Sequence, residues 1–248
     1  MLRRIGIIII VIYSSIAASA QVNYSALNIS MNAQVQPEFR IDSIVRLYAD
    51  SLTSIMDRVI GYCTETMSSK RPESTLMRFV ADVMMSEGLR YAEENKMEVH
   101  EAISLLNAGG IRASMKEGKV MVRNIFEISP FENSIVILEL TARQLRDVLY
   151  HVAARGGEAV AGVTMVLDDR QAKKIKVHGE NIDNDKKYTL ITLDYVASGG
   201  DQFKCLTQIP AHNTGMLFRD AFIRYVEQLT AEGKQIVPPT DVRITKIR

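Results

Sequence analysis

Three short stretches of this sequence carry side chains that could bind a small ligand. Residues 107–112 read NAGGIR, residues 129–133 read SPFEN, and residues 194–203 read DYVASGGDQF. An amide can read the edge of a heterocycle, arginine suits phosphate oxygens, and a base stacks on an aromatic ring. A carboxylate accepts hydrogen bonds from the vicinal hydroxyls of a ribose. The side chains that match these parts of a nucleotide are Asn107, Arg112, Phe131, Tyr195 and Asp201.

Each stretch on its own also has a structural interpretation, which the sequence leaves open. Asn and Gly are common in turns at strand ends. A Phe that follows a stiff Pro turn, as Phe131 follows Pro130, is often buried in the core. Asp201 could be a solvated residue of a Gly-rich turn. It is the combination of the three stretches that favours a nucleotide-binding site.

The sequence does not supply the side chains for metal-dependent hydrolysis. Two-metal catalysis needs several His and Asp side chains that converge on the ions. The four histidines, none of which lies in a metal-binding motif, are His100, His151, His178 and His212. No Ser-His-Asp or Cys-His pattern is evident either. We therefore expect no catalytic residue, no metal site and no cofactor in this chain.

Residues 1–20 have the pattern of a secretory signal peptide. Arg3 and Arg4 precede an apolar run over residues 5–16, and residues 18–20 (ASA) form a small-residue cleavage site. The run is shorter than the about 20 apolar residues that span a bilayer; a retained membrane anchor is the alternative. We expect an exported protein, periplasmic or extracellular, with no membrane span in its mature form.

Charge and cysteine content exclude some classes of partner and leave one question open. Without the leader the chain has 28 basic and 29 acidic residues. This balance gives no broad basic field, so nucleic acid is excluded as a partner. Cys63 and Cys205, the two cysteines, could form a disulfide in an oxidising compartment or remain two buried thiols.

The elements that must position these side chains follow from hydrophobic periodicity and turn signals. Residues 21–40 are polar and without period, which predicts a flexible arm. One domain is predicted over residues 41–248, beginning with an amphipathic helix over 41–59 whose apolar face must bury against this domain or a partner. Irregularly mixed strands and helices predict an α+β fold with a mixed sheet. Further helices are predicted over 73–95 (capped by Ser74), 141–154 (capping box Thr141/Gln144) and 215–229, and strands over 59–62, 102–106, 134–140, 163–167, 174–177, 188–196 and 242–247.

These stretches resemble the C-terminal, substrate-binding domain of the 5′-nucleotidase family. The family shows an N-G-G-G-I-R loop, an L-P-F-x-N segment before an apolar strand, and an F-L-A-x-G-G-D-G-F segment near its end. All three have counterparts here in the same order, and the similarity covers residues 41 to the C-terminus. The resemblance implies that Phe131 and Tyr195 sandwich the base and that Asn107 contacts its edge. It also implies that Asp201 holds ribose hydroxyls and that Arg112 neutralises phosphate.

Four positions depart from the family pattern or depend on it. Lys70 stands where the family often has an arginine, which implies a role in phosphate binding, although Arg71 is adjacent. Ala108 and Gln202 replace glycines, so the backbone there cannot freely take positive φ. Tyr195 replaces the usual Phe and adds a hydroxyl that needs a partner. The departures bear on base preference and loop geometry more than on the fold.

Family members hydrolyse phosphate esters with two metal ions held by an N-terminal metallophosphatase domain, whose motifs this sequence does not contain. The resemblance thus implies a nucleotide- or nucleoside-binding subunit, for adenosine or AMP or a UDP-sugar, of a split 5′-nucleotidase. The divalent metals are then expected on a separate metallophosphatase chain. The amphipathic helix over 41–59 would dock that partner. The alternative is a stand-alone binding protein that has lost the enzyme activity.

Overall fold

The computed structural model describes residues 25–28, 35–36 and 38–247. The predicted signal peptide over residues 1–20 lies outside the described residues. The chain divides into two units, residues 1–48 and 49–248. Helix α1 (Phe39–Met56) begins in the first unit and ends in the second, and it starts two residues earlier than periodicity predicts. In the first unit an ion pair one turn apart joins Asp42 and Arg46 on this helix.

The second unit alternates strands and helices without a regular order. Its elements are β1 (Val59–Cys63), α2 (Thr75–Glu94), β2 (Ile103–Leu106), β3 (Gly118–Met121), α3 (Val122–Ile128), β4 (Ser134–Thr141), α4 (Ala142–Ala154), β5 (Ala159–Ala161), β6 (Val163–Asp168), β7 (Gln171–Val177), β8 (Glu180–Asn181), β9 (Lys187–Leu193), α5 (Asp194–Ala197), β10 (Ala211–Leu217), α6 (Phe218–Ala231) and β11 (Ile244–Lys246).

A five-stranded mixed sheet with the order β10–β4–β9–β2–β5 forms the centre of this unit. β9 runs parallel to β2 and antiparallel to β4, whereas β5 and β10 pair antiparallel at the two edges. The interior strands are apolar on both faces, as their near-continuous hydrophobic sequence predicts. The mixed sheet and its flanking helices confirm the predicted α+β class.

Two smaller sheets complete the strand pairing of the described residues. β1 pairs antiparallel with β3. A four-stranded sheet has the order β11–β6–β7–β8, in which β11 lies parallel to β6 at the edge. The predicted closing strand near the C-terminus is therefore confirmed as an edge strand.

Helices α2 and α4 cover the central sheet. The capping box predicted for α4 is present: the Thr141 hydroxyl accepts from the Gln144 amide, and the Gln144 side chain accepts from the Thr141 amide. Close packing of α2 depends on Gly88, because a Cβ there would lie 2.4 Å from Ile191 of β9. The Ser74 hydroxyl does not cap α2; it accepts instead from the Lys70 amide at 3.1 Å.

The structure corrects two of the predicted boundaries that bear on the site. β9 ends at Leu193, so Tyr195 lies in the short helix α5 and not at the end of a strand. The helix predicted over 215–229 begins only at Phe218, because residues 211–217 form the edge strand β10. Most of β10 is exposed and its sequence has no alternation, so backbone pairing with β4 defines this strand.

Several apolar side chains of α1 are exposed. In the second unit, the side chains of Leu52 and Ile55 are more than half exposed. The part of α1 in the first unit likewise shows exposed Ile41, Ile44 and Tyr48. That the apolar face of α1 is buried against this domain or a partner stays a prediction. Among the described residues, no helix has the length and apolar character needed to cross a membrane.

Candidate functional site

The topology of the central sheet brings the three sequence stretches to one edge. β2 and β9 are parallel neighbours, so the loops that follow Leu106 and Leu193 leave the sheet on the same side. β4 runs antiparallel to β9 with Ile135 opposite Leu193, so the loop that precedes β4 lies on that side too. Binding sites in sheets of this kind commonly form where such loops meet.

A cleft of about 320 Å³ lies between these loops. This volume is at the lower end of the range typical of small-molecule pockets, about 300–1,000 Å³. Five of the six predicted site residues line it, and Lys70 does not. The lining residues are Asn107, Gly109, Gly110, Arg112, Phe131, Asn133, Tyr195 and Asp201.

The two predicted aromatic residues present their rings at the surface of this cleft. Phe131 is 48% exposed and Tyr195 is 44% exposed. By contrast, Phe203 and Phe222 are fully buried. The interpretation of Phe131 as a core residue is therefore wrong. Among the described residues Phe131 and Tyr195 make no ring contact with each other, although both line the cleft.

The loop that carries Phe131 is fixed from both sides. The Phe218 amide donates to the Asn133 carbonyl at 2.9 Å, which ties the end of the loop to the start of α6. Arg219 is almost fully buried, donates to the Pro130 carbonyl at 3.3 Å, and stacks its guanidinium 4.1 Å from the centre of the Phe126 ring. Exposure of the Phe131 ring is thus a property of a well-anchored turn.

Tyr195 is held in place by the glycine turn that follows it. The Tyr195 hydroxyl accepts a hydrogen bond from the Asp201 amide at 3.2 Å, so this hydroxyl has a partner within the chain. Gly200 packs directly on the ring, since a Cβ at that position would lie 2.5 Å from Tyr195 Cε1. The glycine is required here by space and not by a positive φ.

Asn107 uses its amide group inside the protein. It is only 6% exposed, and its Nδ2 donates to Asp201 Oδ2 at 2.7 Å. A carboxylate only accepts hydrogen bonds, so this contact fixes which amide atom is the nitrogen. The Asn107 Oδ1 atom has no partner among the described residues. This oxygen is buried and is not exposed to solvent in the cleft.

Arg112 is the cation of the cleft. Its Nη1 donates to the Gly109 carbonyl at 3.2 Å, which turns the side chain back over its own loop. The side chain is exposed, and within the described residues it pairs with no carboxylate. Most of its donors are therefore free to bind an anion.

Lys70 lies away from the cleft lining. It is exposed, and its backbone amide is bound to Ser74. The neighbouring Arg71 points to residues 157–158, where it donates to the Gly157 carbonyl and the Glu158 carboxylate. The part that Lys70 takes in phosphate binding stays a prediction.

Ala108 and Gln202, which stand where the family pattern has glycine, differ in backbone conformation. Ala108 lies in a short 3₁₀ turn and does not adopt positive φ, so it fits without strain. Gln202 has φ of +68° and Asp201 has φ of +51°, a region that costs an L-residue roughly 1–2 kcal/mol. The turn that carries Asp201 is therefore strained and must be held by its surroundings.

A partly buried charged network holds this turn, and the sequence did not predict it. Arg155 and His151 bind the Asp201 backbone carbonyl, and Glu158 binds Arg155. The one sequence signal was the Arg-Gly-Gly-Glu pattern at residues 155–158, in which two opposite charges flank a tight turn. It does not reveal a partner that lies 46 residues further along the chain.

The described residues contain no group of three or more His, Cys, Asp or Glu side chains that could hold a metal ion. His178 contacts the Ala102 carbonyl and His212 contacts the Tyr91 hydroxyl. The donor set therefore does not fit the pair of ions used by a metallophosphatase. Cys63 and Cys205 are both free thiols, and burial raises the pKa of each above its ordinary value.

Comparison with known proteins decides the family. The family model for the 5′-nucleotidase C-terminal domain matches residues 59–208. This chain belongs to the 5′-nucleotidase C-terminal domain family. Its fold is also that of a 5′-nucleotidase precursor from Thermus thermophilus, with a TM-score of 0.70 and 23% identity over 85% of this chain and 43% of the other.

Curated relatives of this 5′-nucleotidase C-terminal domain are much longer than the chain itself. It is 25% identical to the trifunctional nucleotide phosphoesterase protein YfkN of Bacillus subtilis over 91% of this chain. It is 29% identical to protein UshA of Escherichia coli over 55% of this chain. The chain spans 16% of the first protein and 26% of the second. The similarity to these relatives therefore concerns one domain of each, and it does not extend over their full length.

Proposed function

We propose that the cleft binds a nucleoside or nucleotide, with the base between Phe131 and Tyr195. The observation that carries the proposal is that five side chains of matching chemistry line one cleft of about 320 Å³. Asp201 then accepts from the ribose hydroxyls and Arg112 binds the phosphate. The names of the relatives, a nucleotide phosphoesterase among them, support this class of ligand.

The base is held by stacking and by one polar contact. A base against an aromatic side chain is worth about 1–3 kcal/mol. Two rings together supply much of the roughly 8 kcal/mol that a micromolar complex needs. Asn107 contacts the edge of the base; its Oδ1, a buried acceptor with no partner among the described residues, must become accessible to accept from the exocyclic amine of adenine.

We further propose that the chain acts as the exported substrate-recognition subunit of a split 5′-nucleotidase, in nucleotide catabolism. A separate metallophosphatase chain supplies the divalent metals and the hydrolysis. The exposed side chains of Leu52 and Ile55 on α1 offer an apolar surface for such a partner, which supports this division of labour. Export is proposed from the leader pattern of residues 1–20.

Calorimetry with adenosine, AMP and UDP-glucose tests the binding proposal. Phe131→Ala and Tyr195→Ala should each weaken binding by about 1–3 kcal/mol, or roughly 5- to 150-fold. Tyr150→Ala is the matched control, because Tyr150 is equally exposed and does not line the cleft. Failure of all three ligands to bind the unaltered protein would contradict the proposal.

Reconstitution tests the division into two chains. The mature protein is mixed with a separately expressed metallophosphatase chain from the same organism, and AMP hydrolysis is measured. We expect turnover above that of the phosphatase alone, and a smaller gain with Phe131→Ala. If AMP binds in the cleft but turnover does not change, the chain is a stand-alone binding protein and the split-enzyme proposal is wrong.

A further inference from the structure

The backbone of Asp201 is held in an unfavourable conformation by side chains from elsewhere in the fold. Its φ of +51° lies in the left-handed region, which L-residues adopt only when their surroundings enforce it. Arg155 Nη1 and His151 Nε2 both contact the Asp201 carbonyl at 3.0 Å. Because that carbonyl only accepts, His151 must carry its proton on Nε2. The Asp201 amide donates to the Tyr195 hydroxyl. The backbone amide and the backbone carbonyl of Asp201 are therefore both hydrogen-bonded.

The Asp201 carboxylate is also held at both oxygens. Arg155 Nη2 lies 3.2 Å from Oδ1, and Asn107 Nδ2 donates to Oδ2 at 2.7 Å. A carboxylate has about four acceptor sites. Each oxygen therefore keeps the capacity to accept one further hydrogen bond, and Asp201 lines the cleft. Two adjacent acceptors in fixed positions suit two vicinal hydroxyl donors.

Arg155 is itself oriented by Glu158, whose side chain is fully buried. The Glu158 carboxylate accepts from Arg155 Nε, from Arg71 Nη2 at 2.6 Å and from the Ala108 amide. A buried carboxylate is tolerated when cations and donors satisfy it in this way. Glu158 thus connects Arg155 to the loop over residues 107–112, which also lines the cleft.

The Arg155 guanidinium of this network is charged at neutral pH. Burial alone lowers the pKa of the Arg155 guanidinium, but its hydrogen bond to Glu158 and the charges of Glu158 and Asp201 raise that pKa above its ordinary value. Arg155 stays protonated and keeps donating to Asp201 through Nη1 and Nη2.

We propose that Arg155, oriented by Glu158, is a positioning residue that sets the sugar selectivity of the cleft. It does so by fixing the Asp201 carboxylate where it accepts from both hydroxyls of a ribose. This inference rests on the proposed function of the cleft. A side chain that only stabilised the fold would weaken the binding of every ligand equally when removed. A positioning residue instead changes the preference between sugars.

The test compares adenosine with 2′,3′-dideoxyadenosine, which keeps the base and lacks both hydroxyls. Hydrogen bonds to a charged acceptor are strong, so the unaltered protein should bind adenosine at least about 10-fold more tightly. Arg155→Met should lower this ratio to near 1 while the affinity for dideoxyadenosine changes less than about 3-fold. Calorimetry supplies both dissociation constants, and thermal melts verify that each variant is folded.

Three further variants make the result specific. Arg155→Lys keeps the charge but has one donor group in place of a planar fork, so it should recover part of the ratio. Glu158→Gln should reduce the ratio, because it removes the buried carboxylate that orients Arg155. Arg146→Met is the matched control: Arg146 lies on α4, the helix that Arg155 directly follows, binds the Ile182 carbonyl and does not line the cleft. The ratio should be unaltered in this control.

A double variant separates action through Asp201 from an independent effect. Asp201→Ala should bring the affinity ratio of adenosine to dideoxyadenosine to near 1. Adding Arg155→Met to this variant should not change the ratio further. A folded Arg155→Met protein that keeps the preference for adenosine would overturn the inference and leave the proposed function intact. If Arg155→Met does not fold, an unaltered ratio in both Arg155→Lys and Glu158→Gln overturns it equally. If the unaltered protein binds neither nucleoside, the proposed function itself has failed.

Discussion

At the scale of single residues, the cleft depends on glycine and on left-handed turns as much as on its functional side chains. Gly200 leaves room for the Tyr195 ring, and Asp201 is held at positive φ by its neighbours. The two features share one turn, in which the Tyr195 hydroxyl binds the Asp201 amide. Aromatic ring and carboxylate are therefore positioned together, and a change to one should move the other.

Replacement of Gly200 tests this coupling. A methyl group in Gly200→Ala would lie 2.5 Å from the Tyr195 ring and 2.5 Å from the Tyr195 carbonyl oxygen, so both the ring and the backbone must shift. We expect adenosine binding to weaken about 10-fold, as for a lost stacking contact. In a Tyr195→Ala background the methyl meets no ring but still lies 2.5 Å from the carbonyl oxygen of residue 195, so Gly200→Ala should cost less than it does in the unaltered protein. Equal losses in both backgrounds, measured by calorimetry, would show that the ring is not what the methyl displaces.

The sequence indicated five residues that line one cleft because each belongs to a stretch next to a strand of the central sheet. It could not predict Arg155, His151 or Glu158, since their partners lie about 50 residues away and no spacing rule joins them. Lys70 was assigned from the resemblance alone, and the structure does not place it at the cleft. To predict Arg155, His151 and Glu158, one must know how the end of α4 packs against the turn over residues 199–203.

At the scale of elements, the turn between α4 and β5 connects the charged network to the rest of the fold. Gly157 has φ of +106°, and a Cβ there would lie 2.0 Å from the Pro72 carbonyl oxygen. Arg71 donates to the Gly157 carbonyl from the same segment. The backbone at residues 71–72 and the turn at 156–158 are thus packed face to face.

Two glycine variants separate conformational strain from this close packing. Gly118 has nearly the same φ, +107°, but has nothing within 4 Å of a Cβ. Gly118→Ala should lower the free energy of unfolding by about 1–2 kcal/mol through backbone strain alone. Gly157→Ala adds a backbone clash and should cost about 4 kcal/mol or more. Urea unfolding followed by circular dichroism measures both; equal losses would argue against the close contact.

The strands whose hydrophobic pattern is continuous were predicted to within a few residues. β4 and β9 are buried on both faces and their sequences show it. β10 was missed because it is an exposed edge strand whose only constraint is its backbone pairing with β4. β3 and β5 are short, with four and three residues, and too brief for a period to be recognised.

At the scale of the second unit, a buried arginine fixes the C-terminal segment to the fold. Arg243 donates to the Val160 carbonyl at 2.8 Å and pairs with Asp82 of α2 at 2.8 Å and with Asp241 at 2.6 Å. Burial raises the pKa of Asp82 above its ordinary value, although Arg243 works in the opposite direction. The pKa of Asp241 is lowered, chiefly by its hydrogen bond to Arg243.

Removal of Arg243 should therefore destabilise the protein in a pH-dependent way. Arg243→Met leaves Asp82 partly buried and unpaired, and we expect a loss of about 3 kcal/mol at pH 7. Without Arg243 the pKa of both carboxyls rises in the folded state. The folded variant then binds protons more tightly than the unfolded chain, so its stability falls as pH rises above about 4.

Chemical unfolding at pH 4 and pH 7 tests the predicted direction of this pH dependence of stability. The deficit of Arg243→Met relative to the unaltered protein should be smaller at pH 4, where the carboxyls are partly protonated. Asp82→Asn in the Arg243→Met background should restore part of the stability at pH 7 and little at pH 4. A deficit that is independent of pH would indicate that packing, and not charge, is the contribution of Arg243.

The central claim is tested most directly by a crystal structure of the protein with AMP at saturating concentration. The account predicts the adenine ring between Phe131 and Tyr195, the ribose hydroxyls on Asp201 and the phosphate beside Arg112. An empty cleft at saturation, or AMP bound elsewhere with neither ring against the base, would contradict it.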